Sequence, residues 1–216
     1  MDEDIAKEIQ QMLKEAWEKL RHDYDERVTK YKKSLKPEDG SKEEQHWVYW
    51  NEYDLMFHIG RLFYDILSKK KEAKYSDIEI HFEKIINENN FEGYSFEKRL
   101  GELKIKLKMK RGPKVDMIFA KEDALADSFL LCAEVKCFHG PAYFFKNPIE
   151  MINDDIEKLK AIKDIGIAKE VVFIIFDDYY YLDKDKKTKS DDIKHKLKEV
   201  EEIGIPVLYG NSFAKI

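Results

Sequence analysis

Only two cysteines occur in the 216 residues, Cys132 and Cys137, five apart in one apolar run. If that run is a strand they fall on opposite faces and cannot join, so no disulfide framework holds this fold. The chain also lacks a glycine-rich phosphate loop, a paired-cysteine zinc motif and a histidine–glutamate zinc helix, which removes several common enzyme classes. His46, His58 and His139 have no ligand spacing with one another. No apolar run approaches the length of a membrane span, and the acidic start Met1-Asp2-Glu3-Asp4 lacks the apolar region of a signal peptide. These features predict a cytoplasmic protein without a membrane partner. Net basic charge is missing too: the formal charge is -5, so any nucleic-acid binding must rest on a local patch.

What is present is enough apolar residue, 43%, for one main core. The fold class expected is α/β, a central mixed sheet flanked by helices. Residues 2 to about 35 predict one long amphipathic helix, with Ile5, Ile9, Met12, Leu13, Trp17, Leu20, Tyr24, Val28, Tyr31 and Leu35 on one stripe. Such a stripe can dock on its own domain, form a homodimer, or hold another partner. The division expected is a helical extension over 1–40 and a main domain over 41–216.

The main domain opens with Ser41-Lys42-Glu43-Glu44, a capping box that predicts a helix running to about Lys69. On it Val48, Leu55, Ile59, Leu62, Phe63 and Ile66 share one side, Glu52 lies within that stripe, and Asp54 lies nearly opposite. Ser76-Asp77-Ile78-Glu79 reads as a second helix start, with Ile78, Phe82, Ile85 and Ile86 at helical spacing to about Asn90. Leu103 to Lys110 alternates apolar residue and lysine, which predicts a strand with one basic side. Lys104, Lys106, Lys108 and Lys110, extended by Arg111 and Lys114, are candidate nucleic-acid contacts. An ordinary half-solvated strand explains the same pattern.

Two later strands carry the chemistry. Lys114 to Ala120 is apolar except at Asp116, and Phe129 to Phe138 is apolar except at Glu134 and Lys136. Glu134 and Lys136, two apart, share a face; Val135 takes the other. A short loop between the strands suits an antiparallel pair that brings the three charges together. Carboxylates at sheet depth need a counter-charge, supplied either by a divalent metal or by a buried ion pair with Lys136. Asn147-Pro148-Ile149-Glu150 then opens a helix on which Ile152, Ile156 and Leu159 share a face, with Asp155 at its margin in a structural role and Asp154 pointing away. A buried strand over Glu170–Phe176, a helix from Ser190 and a last strand over Ile205–Tyr209 complete an α-β-β-β-α-β-α-β order. His139 and the run Tyr179-Tyr180-Tyr181 add no firm signal.

The Asp116, Glu134-Val135-Lys136 pattern on consecutive strands resembles the PD-(D/E)XK nuclease superfamily, with its restriction-endonuclease-like αβββαβ core. The proline stands at 113, three residues before Asp116, where the family has it directly before the acid. The resemblance implies that Asp116 and Glu134 bind Mg2+ or Mn2+, with the Val135 carbonyl a further ligand and Glu52 an additional ligand or water orienter. It assigns Lys136 to the attacking water and the developing phosphate charge. The expected activity is metal-dependent hydrolysis of phosphodiester bonds, DNA being favoured over RNA by family frequency. The alternatives are a non-catalytic module binding nucleic acid or protein, and a defence or toxin nuclease that needs a partner.

Overall fold

The computed structural model describes residues 2–34, 52–92, 94–121, 127–138, 148–177 and 190–211. The Ser41 capping box, Val48, His46, Asn147, His139 and the three tyrosines from 179 lie outside these residues. The α-helices and strands of the described residues follow in order: α1 (Asp2–Ser34), α2 (Glu52–Leu67), β1 (Ile78–Ile85), α3 (Tyr94–Lys106), β2 (Lys114–Lys121), β3 (Phe129–Phe138), α4 (Pro148–Ile165), β4 (Ala168–Asp177), α5 (Ser190–Glu202) and β5 (Val207–Asn211).

The five strands form one mixed sheet in sequence order. β1, β2 and β3 form an antiparallel meander, and β4 and β5 then add in parallel. The parallel steps need crossovers, which α4 and α5 supply. Two separate cores follow from covering both faces. On one face Ile5, Ile9, Leu13, Trp17, Leu20 and Tyr24 of α1 and Leu55, Ile59 and Phe63 of α2 pack on Phe119, Val135 and Phe176. On the other, residues of α3, α4 and α5 pack on Ile118, Cys132, Phe173 and Ile175. The α1 stripe therefore docks on the chain's own sheet as far as Tyr24. Trp17 and Tyr24 meet Phe176 edge to face, at 5.9 and 5.0 Å between ring centroids. No described helix is long and apolar enough to cross a membrane.

Two expectations are reversed. The segment from Ser76 is not a helix: Ser76 closes a 3-10 turn onto the Ala73 carbonyl at 2.8 Å, and Ile78–Ile85 is the edge strand β1. Its isoleucines and Phe82 fit both periods, and pairing with β2 decides for the strand. The lysine-rich segment is not a strand. Phe96, Leu100 and Leu103 step along α3 into the core, while Ile105, expected to face inward, is 79% exposed. The helix ends in a six-to-one bond from the Met109 amide to the Lys104 carbonyl, with Lys108 left-handed at φ 54°. The six basic residues thus share no strand face: Lys104 and Lys106 close α3, Lys108, Lys110 and Arg111 occupy the following turn, and Lys114 begins β2.

The meander is irregular at one place. Glu83 takes φ 55° between the pairs Phe82↔Met117 and Lys84↔Val115, opposite Asp116. On either side of that point β2 changes the face it presents, since Val115 belongs to one core and Met117 to the other.

Candidate active site

β2 and β3 are paired at Met117↔Ala133, Ile118↔Cys132 and Phe119↔Leu131, and the ladder stops before Asp116. There the Asp116 side chain replaces a ladder acceptor: its Oδ2 receives the Val135 amide at 2.8 Å. In an extended strand the amide and carbonyl of one residue point the same way, so the Val135 carbonyl faces this gap as well. The kink opposite Glu83 and the splayed ladder give Asp116 its place at the mouth of the gap.

Glu134 sits next to it, 1% exposed, on the face of β3 covered by α4. Its Oε2 pairs with the Lys158 ammonium of α4 at 2.7 Å, and its Oε1 has no hydrogen-bond partner among the described residues. Burial, and then the Asp116 carboxylate, push the Glu134 carboxyl well above the ordinary range, with Lys158 opposing. Lys136, two residues on, reaches Asp155 Oδ2 at 2.8 Å and Glu52 Oε1 at 3.6 Å. Burial works against its charge, but Asp155 and Glu52 outweigh it and hold the ammonium protonated above its usual range. Glu52, the first described residue of α2, is also pushed up, mainly by burial, with Asp116 and Asp155 adding repulsion and Lys136 opposing.

The structure thus brings Asp116, Glu134, Lys136 and Glu52 together, and it adds Asp155, which the sequence reading gave a structural role only, and Lys158, which it did not single out. Asp155, 8% exposed, bridges both lysines, its Oδ1 meeting Lys158 at 3.1 Å. Lys158 also donates to the Lys114 carbonyl at 3.2 Å. The signal for them was an acid and a lysine three apart at the margin of the α4 stripe, immediately after the charged strand. The six basic residues named as nucleic-acid contacts do not join this cluster with their side chains. Lys104 pairs with Glu88, Lys106 with Asp164 at 3.0 Å, and Lys114 with Glu83.

Four carboxylates therefore face two ammonium groups, and with all six ionised the cluster carries two surplus negative charges. Among the described residues no three carboxylate, imidazole or thiol side chains converge in a metal-holding group. The donors nevertheless suit a hard divalent cation: all are oxygens, one oxygen of a buried carboxylate lacks a partner, and the charge deficit matches. No protein-family model, curated protein or solved structure matches this chain.

Proposed function

We propose that this protein is a metal-dependent nuclease of the PD-(D/E)XK type, hydrolysing phosphodiester bonds, with DNA favoured over RNA. The observation that carries this reading is the buried Glu134, half unpartnered, beside Asp116 at the point where β2 and β3 separate. Lys158 pairs with only one of its oxygens, and leaving the other buried without a partner is costly unless a second cation joins it. The element order supports the same reading: α2, the β1-β2-β3 meander, α4 and parallel β4 follow the αβββαβ order, with α3 inserted between β1 and β2.

In this reading Asp116, Glu134 and the Val135 carbonyl hold Mg2+ or Mn2+, and Glu52 completes the ligands or orients water. The ion would lower the pKa of a bound water and offset phosphate charge. Lys136, kept protonated by Asp155 and Glu52, would position the attacking water and balance charge developing on the phosphate. A non-catalytic binding module is the second reading, favoured by two observations: both lysines are already ion-paired, and among the described residues no three-ligand group is preformed.

The deciding experiment incubates the protein with single-stranded, double-stranded and branched DNA and with RNA, in Mg2+, Mn2+ or chelator, beside a folded Lys136→Ala variant. Metal-dependent cleavage lost in the variant is the expected result. Absence of cleavage on every substrate, together with absence of divalent-ion binding, overturns the nuclease reading in favour of the binding module.

A further inference from the structure

The two lysines of the site have different partners. Among the described residues Lys136 pairs with Asp155 and Glu52, and the ion-pair partner of Glu134 is Lys158. The Lys158 ammonium lies 2.7 Å from Glu134 Oε2 and 3.1 Å from Asp155 Oδ1, two oxygens delivered by different elements, β3 and α4. A divalent ion bound through Glu134 needs oxygen ligands at about 2.0–2.6 Å. Glu134 Oε1 is open to it, but an ion that also engages Glu134 Oε2 or Asp155 Oδ1 would require the ammonium to move.

Resting on the nuclease reading above, we infer that Lys158 is a displaceable internal counter-ion: it holds the cation position beside Glu134 in the metal-free protein and leaves when a divalent ion binds. Two features suit it to leave. Its side chain is 18% exposed, against 1% for Glu134, so part of a long flexible chain already reaches solvent. Its remaining contact, the Lys114 carbonyl, belongs to an exposed residue at the start of β2, where water can replace it. Asp155 keeps Lys136 on its other oxygen throughout, so the lysine of the β3 motif stays in place. Lys158 therefore sets the affinity for the metal and disfavours ions too weakly held to displace it.

The test measures Mn2+ and Mg2+ binding by calorimetry on wild type, Lys158→Met, Lys158→Arg and Glu134→Gln. Lys158→Met is expected to bind at least tenfold more tightly than wild type. Lys158→Arg, which keeps the charge, is expected to bind no more tightly than wild type, and Glu134→Gln is expected to lose binding. A second measurement needs no substitution: reductive methylation of Lys158, followed by mass spectrometry, is expected to accelerate on saturation with Mg2+ while Lys136 stays protected. If wild type binds the ion but Lys158→Met binds equally or more weakly, or the methylation rate does not change, the displaceable role is wrong and the nuclease reading stands. Should neither wild type nor Lys158→Met bind a divalent ion, both readings fail. Binding by Lys158→Met alone would show the lysine to be a fixed block and would overturn its displaceable role.

Discussion

Asp116 does the work of a backbone carbonyl for Val135: its Oδ2 accepts the Val135 amide at 2.8 Å where the ladder between β2 and β3 has ended. Val135 is fully buried, so water cannot replace that acceptor. On the nuclease reading the residue has a chemical task beside this structural one, and the two are separable by substitution. Asp116→Asn retains an acceptor oxygen and is expected to keep its stability while losing metal binding and cleavage. Asp116→Ala leaves the amide unpaired and is expected to lose about 1–3 kcal/mol as well. Urea denaturation in chelator checks this; equal stability of the two variants would remove the hydrogen bond from the account.

Glu134 sets a pH dependence of the opposite sign to that of an ordinary paired carboxylate. Its folded carboxyl titrates well above the usual 4.5, with burial the main cause, so the folded state holds a proton that the unfolded state has released. Metal-free stability is then full below about 4.5 and falls as pH rises towards the folded value. Glu134→Gln carries no such loss. In chelator it is expected to melt higher than wild type at pH 7 to 8, with the gap narrowing towards pH 4. If wild type melts higher throughout that range, Lys158 stabilises the carboxylate outright and burial is not the governing influence.

How much of this could be read from the residues depends on which signals were local. Asp116, Glu134 and Lys136 were legible because a charge in an otherwise apolar strand has one place in a period of two, and Glu52 because it shares a stripe with Leu55 and Ile59. The exchange of helix and strand between 78–85 and 103–110 arose where both periods fit the apolar residues, so that sheet pairing and core contacts decided. The left-handed Glu83 opposite Asp116 carries no residue signal, since neither glycine nor asparagine marks it. Lys158 escaped notice because its partner lies 24 residues earlier on another element, a distance only the crossover through α4 removes.

Gly112 fixes the entry to β2 and so the approach to Asp116. A Cβ there would lie 1.7 Å from the Ile86 carbonyl oxygen, backbone that no rotamer change can clear, and the Ile86 amide is tied to the Pro113 carbonyl at 3.0 Å. Gly112→Ala is expected to lose about 3 kcal/mol or more, at or beyond the upper end of ordinary overpacking. Gly101, inside α3, has nothing within 4 Å of the same atom. Gly101→Ala is expected to gain about 0.5–1 kcal/mol from helix propensity. Paired thermal melts test both signs at once, and equal effects would mean that the turn at Gly112 can move aside.

The basic residues named from the sequence now divide by what they already touch. Lys104, Lys106 and Lys114 have acidic neighbours in Glu88, Asp164 and Glu83, whereas Lys108, Lys110 and Arg111 are exposed in the turn that leads into β2 and have no ion-pair partner among the described residues. If a duplex crosses the gap beside Asp116, this turn is the basic group placed to meet its backbone. Each phosphate contact contributes about 0.9 to the slope of log affinity against log salt. Replacing all three turn residues with alanine is expected to lower that slope by about 2 to 3 and to weaken binding alike for all sequences. Lys104→Ala and Lys106→Ala, which remove charges already neutralised, are expected to leave the slope unchanged. Titrations of a labelled duplex at several salt concentrations, in Ca2+ to prevent cleavage, separate the two sets. An effect of the same size from Lys104 and Lys106 would place the nucleic acid along α3 and away from the turn.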